Sequence, residues 1–285
     1  MTHTGSGSTH DPRAGLARRR LADAAPATAR EHGPPPRADR PVALVTGASS
    51  GIGAATARRF AEDGWQLLLN GRDRRSLEET AAGTSAVLLP ADLGAPEGPR
   101  LLAESALRAT GRIDVLVAGA GIGWSGPFTA MPHTDIDRVL SLNLNATLHL
   151  VREVLPSMAA AGRGRVVLLG PVVGTAGVRE EAVHFAAKAG LAAFATALRQ
   201  ELRGTGVGVT LVVSGPGNTA FPARRGRPGR RSRPRPAPAA RVAGAIRDAV
   251  RHGRDETRVP GRLIPPDRTR GTAPGPYRRL LDRFG

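Results

Sequence analysis

From Pro41 onward, short runs of β-branched and leucine residues alternate with longer stretches whose apolar positions recur every three or four residues. The runs Val42–Thr46, Gln66–Asn70, Ala86–Leu89, Asp114–Ala118, Arg165–Leu169 and Val207–Val213 read as strands. Several are apolar without alternation, as expected of strands covered by helices on both faces of a parallel sheet. The segments Ala54–Gly64, Arg74–Ala82, Gly98–Thr110, Thr134–Ala160 and Glu180–Arg203 have helical length and period. Ala239–His252 adds a helix with Val242, Ala245, Ile246 and Ala249 on one face. Alternating strands and helices joined by right-handed crossovers predict an α/β fold, a doubly wound parallel sheet in a single domain.

The ends of the chain lack this pattern. Residues 1–40 are rich in Gly, Pro, Ser, Thr and Arg and include Pro34-Pro35-Pro36. Such a composition buries too little apolar surface to offset chain ordering, so a disordered extension is expected there. Its acids Asp11, Asp23, Glu31 and Asp39 argue against a transit peptide. The domain is expected over 41–260, with an Arg/Pro-rich lid at 222–238, followed by a tail over 261–285. In that tail Tyr277, Leu280, Leu281 and Phe284 fall at i, i+3, i+4 and i+7, which predicts a short amphipathic helix. A piece so short must dock on the domain, on a partner subunit or, more weakly, on an anionic membrane surface.

The 285 residues carry a net charge of +17 that divides into +3 over 1–40, +1 over 41–221 and +13 over 222–285. The middle of the chain is thus near neutral, and the excess is local. Seven Arg lie between Arg224 and Arg235, a cluster able to bind phosphates. Without an aromatic residue for base stacking, and with prolines that bar a recognition helix, this segment argues against nucleic acid and for a solvated lid. The absence of Cys excludes a disulfide scaffold, a zinc ribbon and a thiol nucleophile, and no metal site is expected. No apolar run approaches the roughly 18–20 residues needed to cross a bilayer, and no signal-peptide core is evident, so a cytoplasmic protein is expected.

Between the first strand and first helix lies Thr46-Gly47-Ala48-Ser49-Ser50-Gly51-Ile52-Gly53. Its glycines permit a tight turn and close backbone approach, and the helix start offers N–H groups and about half a positive charge to a pyrophosphate. The second strand ends in Gly71-Arg72, where an acid would favour NAD and an Arg can pair with a 2′-phosphate, so NADP(H) is favoured over NAD(H). With the leading Thr, the Gly-x-x-x-Gly-x-Gly spacing resembles the short-chain dehydrogenase/reductase family, whose fold is Rossmann-like. The resemblance implies cofactor contacts by Gly47, Ser49, Ser50, Gly51, Ile52, Gly53 and Arg72, by Asp92 and Leu93 of Ala91-Asp92-Leu93, and by Pro216, Gly217 and Thr219 after the last strand. Asp92 has a plainer reading as a helix N-cap. Where the family has Asn-Asn-Ala-Gly, this chain has Ala118-Gly119-Ala120-Gly121, so that loop is expected to lose side-chain ties.

The same resemblance implies a reaction centre of Tyr, Lys, Ser and Asn, acting on a small-molecule carbonyl or alcohol. One of the 41 basic residues, Lys188, is a Lys and the other 40 are Arg; that Lys lies in His184-Phe185-Ala186-Ala187-Lys188, similar to the family's Tyr-x-x-x-Lys helix. His184 then occupies the Tyr position, Pro171 the Ser position, and Asn143 matches the Asn. Tyr277, the chain's single Tyr, belongs to the tail stripe. Pro171 has neither hydroxyl nor N–H and cannot donate to an oxyanion, leaving Thr175 as a substitute. His184 carries three competing readings: an altered acid/base, a polar filler of an abandoned site, or a residue packed beside the cofactor. Lys188, one turn away, favours a neutral imidazole. Asn143, His184 and Lys188 are therefore the candidate catalytic residues, and a catalytically inactive NADP(H)-binding protein is the alternative. The two long helices are expected to form a homo-oligomer interface.

Overall fold

The structure is a computed structural model that describes residues 40–170, 179–214, 217–218 and 237–259. Outside these lie residues 1–39, Pro171, Thr175, Pro216, Thr219, residues 222–236 of the expected lid and the tail with Tyr277. Seven parallel strands form one sheet in the order β3-β2-β1-β4-β5-β6-β9. They are β1 (Val42–Thr46), β2 (Gln66–Gly71), β3 (Ala86–Pro90), β4 (Val115–Ala118), β5 (Gly164–Gly170), β6 (Val207–Ser214) and β9 (Glu256–Val259). Two-residue strands β7 (Gly217–Asn218) and β8 (Ala237–Pro238) pair beside it. The helices are α1 (Gly51–Glu62), α2 (Arg74–Ala81), α3 (Gly98–Thr110), α4 (His133–Leu140), α5 (Ala146–Ala160), α6 (Ala182–Glu201) and α7 (Ala239–Arg251).

Alternation along each strand divides the core between the two faces. Leu44, Leu68, Leu116, Val166, Leu168 and Leu211 point into one cluster, with Leu102, Leu150, Val154 and Leu198 of α3, α5 and α6. Val45, Leu67, Leu69, Val117, Val167 and Val212 point into the other, with Phe60, Leu77, Val242 and Ile246 of α1, α2 and α7. Both faces are covered, which is why the central strands read as unbroken apolar runs.

Three details depart from the sequence reading. The stretch expected as one helix over Thr134–Ala160 is α4 and α5 joined by a π-helical turn, Ser141–Asn145. A wide turn of this kind re-aims a side chain without ending the helix, and Asn143 sits within it, wholly buried. Helix α1 begins at Gly51 rather than Ala54, so the glycines of the first loop form its opening turn. Strand β9, which pairs with β6 from Leu211↔Glu256 to Ser214↔Val259, was not anticipated. In this short edge strand Val259 enters the core while Glu256 and Arg258 form an ion pair at 2.6 Å.

Strand order reverses between β1 and β4, the position where a doubly wound sheet opens a crevice at its carboxyl edge. Here the expected loss of side-chain ties in Ala118–Gly121 is made good by an unforeseen residue. Thr46 Oγ1 accepts hydrogen bonds from the N–H groups of Gly119 and Ala120, each at 3.1 Å. A Thr46→Val substitution keeps the shape and removes the acceptor; it is expected to lower unfolding stability by about 1–3 kcal/mol, seen as a reduced denaturant midpoint with unchanged m-value.

Candidate active site

The glycine loop is built around contacts that tolerate no side chain. Gly47 has φ +68°, and a Cβ on it would lie 2.7 Å from Gly119 O. A Cβ on Gly53 would lie 2.3 Å from Gly47 O. The β1 and β4 backbones and the first turn of α1 therefore close on one another, and Ala48 N–H donates to Asn70 O at 2.9 Å. Ser50 precedes α1 in an extended conformation and makes no side-chain cap, so the opening turn keeps N–H groups for a ligand. Ser49 and Ser50 line an open groove with Arg58 and Ser76.

At the end of β2, Asn70 Nδ2 donates to Leu89 O at 2.9 Å and holds β2 against β3. The next residues differ in how they are engaged. Asp73 caps α2 by accepting from Ser76, whose hydroxyl and N–H hold its carboxyl below the usual range. Arg74 and Arg75 reach Glu78 at 3.1 Å and Glu79 at 3.5 Å. Arg72 is exposed and has no hydrogen-bond or ion-pair partner among the described residues. Asp92 does not cap a helix, contrary to its plainer reading: Oδ1 accepts from Gly94 N–H at 2.9 Å, and α3 starts later, at Gly98. Leu93 is core, and Gly217 lies on β7 opposite Ala237.

Asn143 and His184 meet. Asn143 Oδ1 accepts from Ile122 N–H at 2.8 Å, and Nδ2 donates to Ile122 O at 2.7 Å. Nδ2 also lies 3.2 Å from His184 Nδ1, which is 3.3 Å from Ile122 O. Ile122 was invisible to residue-type reasoning because it acts through its backbone. Its side chain packs with Trp124, Ile136 and Leu140 against Met131, Val139 and Val183. Beside His184 a cleft is lined by Trp124, Phe128, Met131 and Val183, with Glu180 and Glu181 on its wall. Glu180 O accepts from Gly126 N–H at 3.0 Å, which ties the loop after β4 to the start of α6.

Lys188 stands one turn beyond His184 on the unbroken α6. Part of the residue is accessible, yet desolvation of the ammonium lowers its pKa from 10.5 to about 8. No hydrogen-bond or ion-pair partner meets it among the described residues. A glycine cradle, an uncapped helix start, an unpartnered guanidinium at the end of β2 and a desolvated ammonium together suit a dinucleotide's phosphates and ribose hydroxyls. Among the described residues, no helix is long and apolar enough to cross a membrane.

Sheet order, crevice and glycine loop define a nicotinamide-dinucleotide-binding oxidoreductase fold. The profile of the family described as short chain dehydrogenase matches residues 41–227, and the chain belongs to that family. Ketoacyl reductase HetN of Nostoc sp. is 37% identical over 177 residues, which span 60% of this chain and 62% of that protein. A metagenomic short-chain oxidoreductase solved in complex with NADP superposes with TM-score 0.66 at 32% identity, over 76% of this chain and 96% of that one. A Burkholderia phymatum short chain dehydrogenase/reductase in complex with NAD shares the fold, with TM-score 0.71 at 24% identity over 77% of this chain and 89% of that one. The solved neighbours thus include one NADP complex and one NAD complex.

Two outcomes follow from this geometry. Gly53→Ala forces α1 away from Gly47 and is expected to abolish dinucleotide binding in a titration while the fold persists by circular dichroism. Lys188→Met removes an unpartnered ammonium, so the cofactor-free protein is expected to melt higher, by about 2–4 °C per kcal/mol gained. Between pH 8 and 10.5 the unfolded chain holds this proton and the folded chain does not, so folding stability rises with pH across that window. The variant is expected to lack that rise in pH-dependent denaturation.

Proposed function

We propose that this protein is an NADP(H)-dependent short-chain dehydrogenase/reductase acting on an apolar carbonyl or alcohol with an altered reaction centre. The observation that carries the reading is the placement of His184, a ring tied through Nδ1 to a buried amide at the wall of an apolar cleft, one turn before a desolvated Lys. Backbone N–H groups of the glycine loop and of the first turn of α1 would hold the diphosphate. Lys188 would hold the nicotinamide ribose, and Arg72, with neighbours already engaged, the 2′-phosphate. The bound cofactor supplies or accepts hydride at the substrate carbon. The chain orients the substrate against Trp124, Phe128 and Met131 and meets its oxygen with His184. The ketoacyl reductase name of the Nostoc relative supports carbonyl chemistry, and the NADP in the metagenomic relative supports the cofactor.

Pro171 in the position of the family's Ser favours a second reading, a catalytically inactive NADP(H)-binding protein with a regulatory or structural role. Small exposed residues along α6, namely Ala186, Ala193 and Ala197, support a homo-oligomer formed through that helix and α5.

NADPH is expected to bind more tightly than NADH by fluorescence titration. Arg72→Ala is expected to cut the NADPH affinity about 10–100-fold with little effect on NADH, the value of one charge-assisted contact. Absence of binding to either cofactor would sink the reading. Turnover of aldehydes and ketones that His184→Ala abolishes without loss of NADPH binding marks an enzyme. A silent parent that gains turnover on His184→Tyr with Pro171→Ser marks the inactive alternative.

A further inference from the structure

We infer that the substrate of the proposed reaction carries an ammonium group on its apolar body, and that Glu180 receives this group in the cleft beside His184. The inference deepens the proposed carbonyl or alcohol chemistry and rests on it for the identity of the cleft as the substrate site. Glu180 acts in choosing the substrate and takes no part in hydride or proton transfer.

Glu180 is set apart first by its backbone. Its φ is +66°, and among the described residues every other positive φ belongs to a glycine. A long side chain at such a φ is strained, and the surrounding structure must impose it. Here the hold comes from the loop after β4: Glu180 O accepts from Gly126 N–H at 3.0 Å. Gly126 in turn lies against the Trp124 ring, whose Cη2 a Cβ at that position would meet at 2.7 Å. One backbone bond thus clasps that loop to the lead into α6 and sets an indole and a carboxylate on the same cleft.

No bond made by the side chain accounts for that strain. The Glu180 carboxylate has no hydrogen-bond or ion-pair partner among the described residues, whereas its neighbour Glu181 is engaged. Elsewhere in this Arg-rich chain Glu62, Glu78, Glu97 and Glu104 each pair with a nearby Arg. Arg179, next to Glu180 in sequence, neither pairs with it nor lines the cleft.

The rest of the cleft is one-sided in its chemistry. Trp124, Phe128, Met131 and Val183 give apolar and aromatic surface, Glu180 and Glu181 give negative charge, and among the described residues no Lys or Arg lines it. Such a lining attracts an ammonium in two ways, through the carboxylate as a charged acceptor and through the negative faces of the rings. Phe128, 59% exposed, keeps its ring open to a ligand. An anionic substrate would meet unpaired charge of its own sign and be rejected. The cleft encloses about 310 Å³, at the small end of the range of about 300–1,000 Å³ for small-molecule sites, which suits a compact amino carbonyl or amino alcohol.

Ligand-observed NMR titrations of the full-length chain, alone and with saturating NADPH, test this with three probes built on one ring: benzylammonium, benzyl alcohol and benzoate. Benzylammonium is expected to bind best and benzoate worst. The cation is expected to exceed the alcohol by about 3–10-fold at low salt, as one partly exposed ion pair beside aromatic rings would give, and by less as salt rises. Glu180→Gln removes the charge and is expected to bring that ratio close to one. Glu180→Asn, also neutral and better suited to a left-handed φ, is expected to do the same and serves where the Gln variant fails to fold. A wild-type ratio near one, a cation preference that the folded variants keep, or binding of no probe to either form of the protein would overturn the inference. The preference is also read without cofactor, so its failure is separate from failure of the NADPH titration that tests the proposed function.

Discussion

The close approach of two backbones at the carboxyl ends of β1 and β4 is the constraint on which the rest of the site depends. Gly47 and Gly119 come so near that a single methyl at position 47 would strike a carbonyl at 2.7 Å. That proximity lets one hydroxyl, Thr46 Oγ1, serve two N–H groups of the neighbouring loop. The loop so fixed leads through Gly121 to Ile122, whose backbone binds Asn143. The placement of Asn143 is thus tied, bond by bond, to the sheet's point of reversal.

The π-helical turn between α4 and α5 is the second device. A regular helix through 134–160 would carry its side chains past the crevice at an even pitch. One widened turn places Asn143 inside the protein while α4 and α5 stay in contact with the core on either side. The cost of an irregular turn is offset by an amide whose hydrogen-bonding atoms are engaged by Ile122 and His184.

Much of this was legible in the residues. The central strands announced themselves as apolar runs because both faces are covered, and the glycine loop because a turn under a helix start needs residues without side chains. Lys188 was conspicuous in a chain that otherwise uses Arg for its positive charge. What escaped has a common cause. Ile122 works through its backbone, which any residue type could supply. Thr46 reads as one more β-branched strand residue until its neighbour across the sheet is known. The π-helical turn leaves the apolar period nearly intact, and β9 is an edge strand with too little burial to impose a pattern on its sequence.

The polar network around Asn143 and the lone ammonium of Lys188 differ in what they cost the fold. A site released from function has no reason to keep a buried amide, and replacing Asn143 and its partner by apolar residues of similar shape would be close to neutral for stability. It has still less reason to keep a desolvated ammonium that finds no partner among the described residues, since that group favours unfolding in full below about pH 8 and decreasingly up to pH 10.5. Both are present and lie within one helical turn of each other's contacts on α6. The ammonium sets a cost in stability that ribose hydroxyls of a bound dinucleotide are suited to offset, whereas the amide is already satisfied by Ile122 and His184.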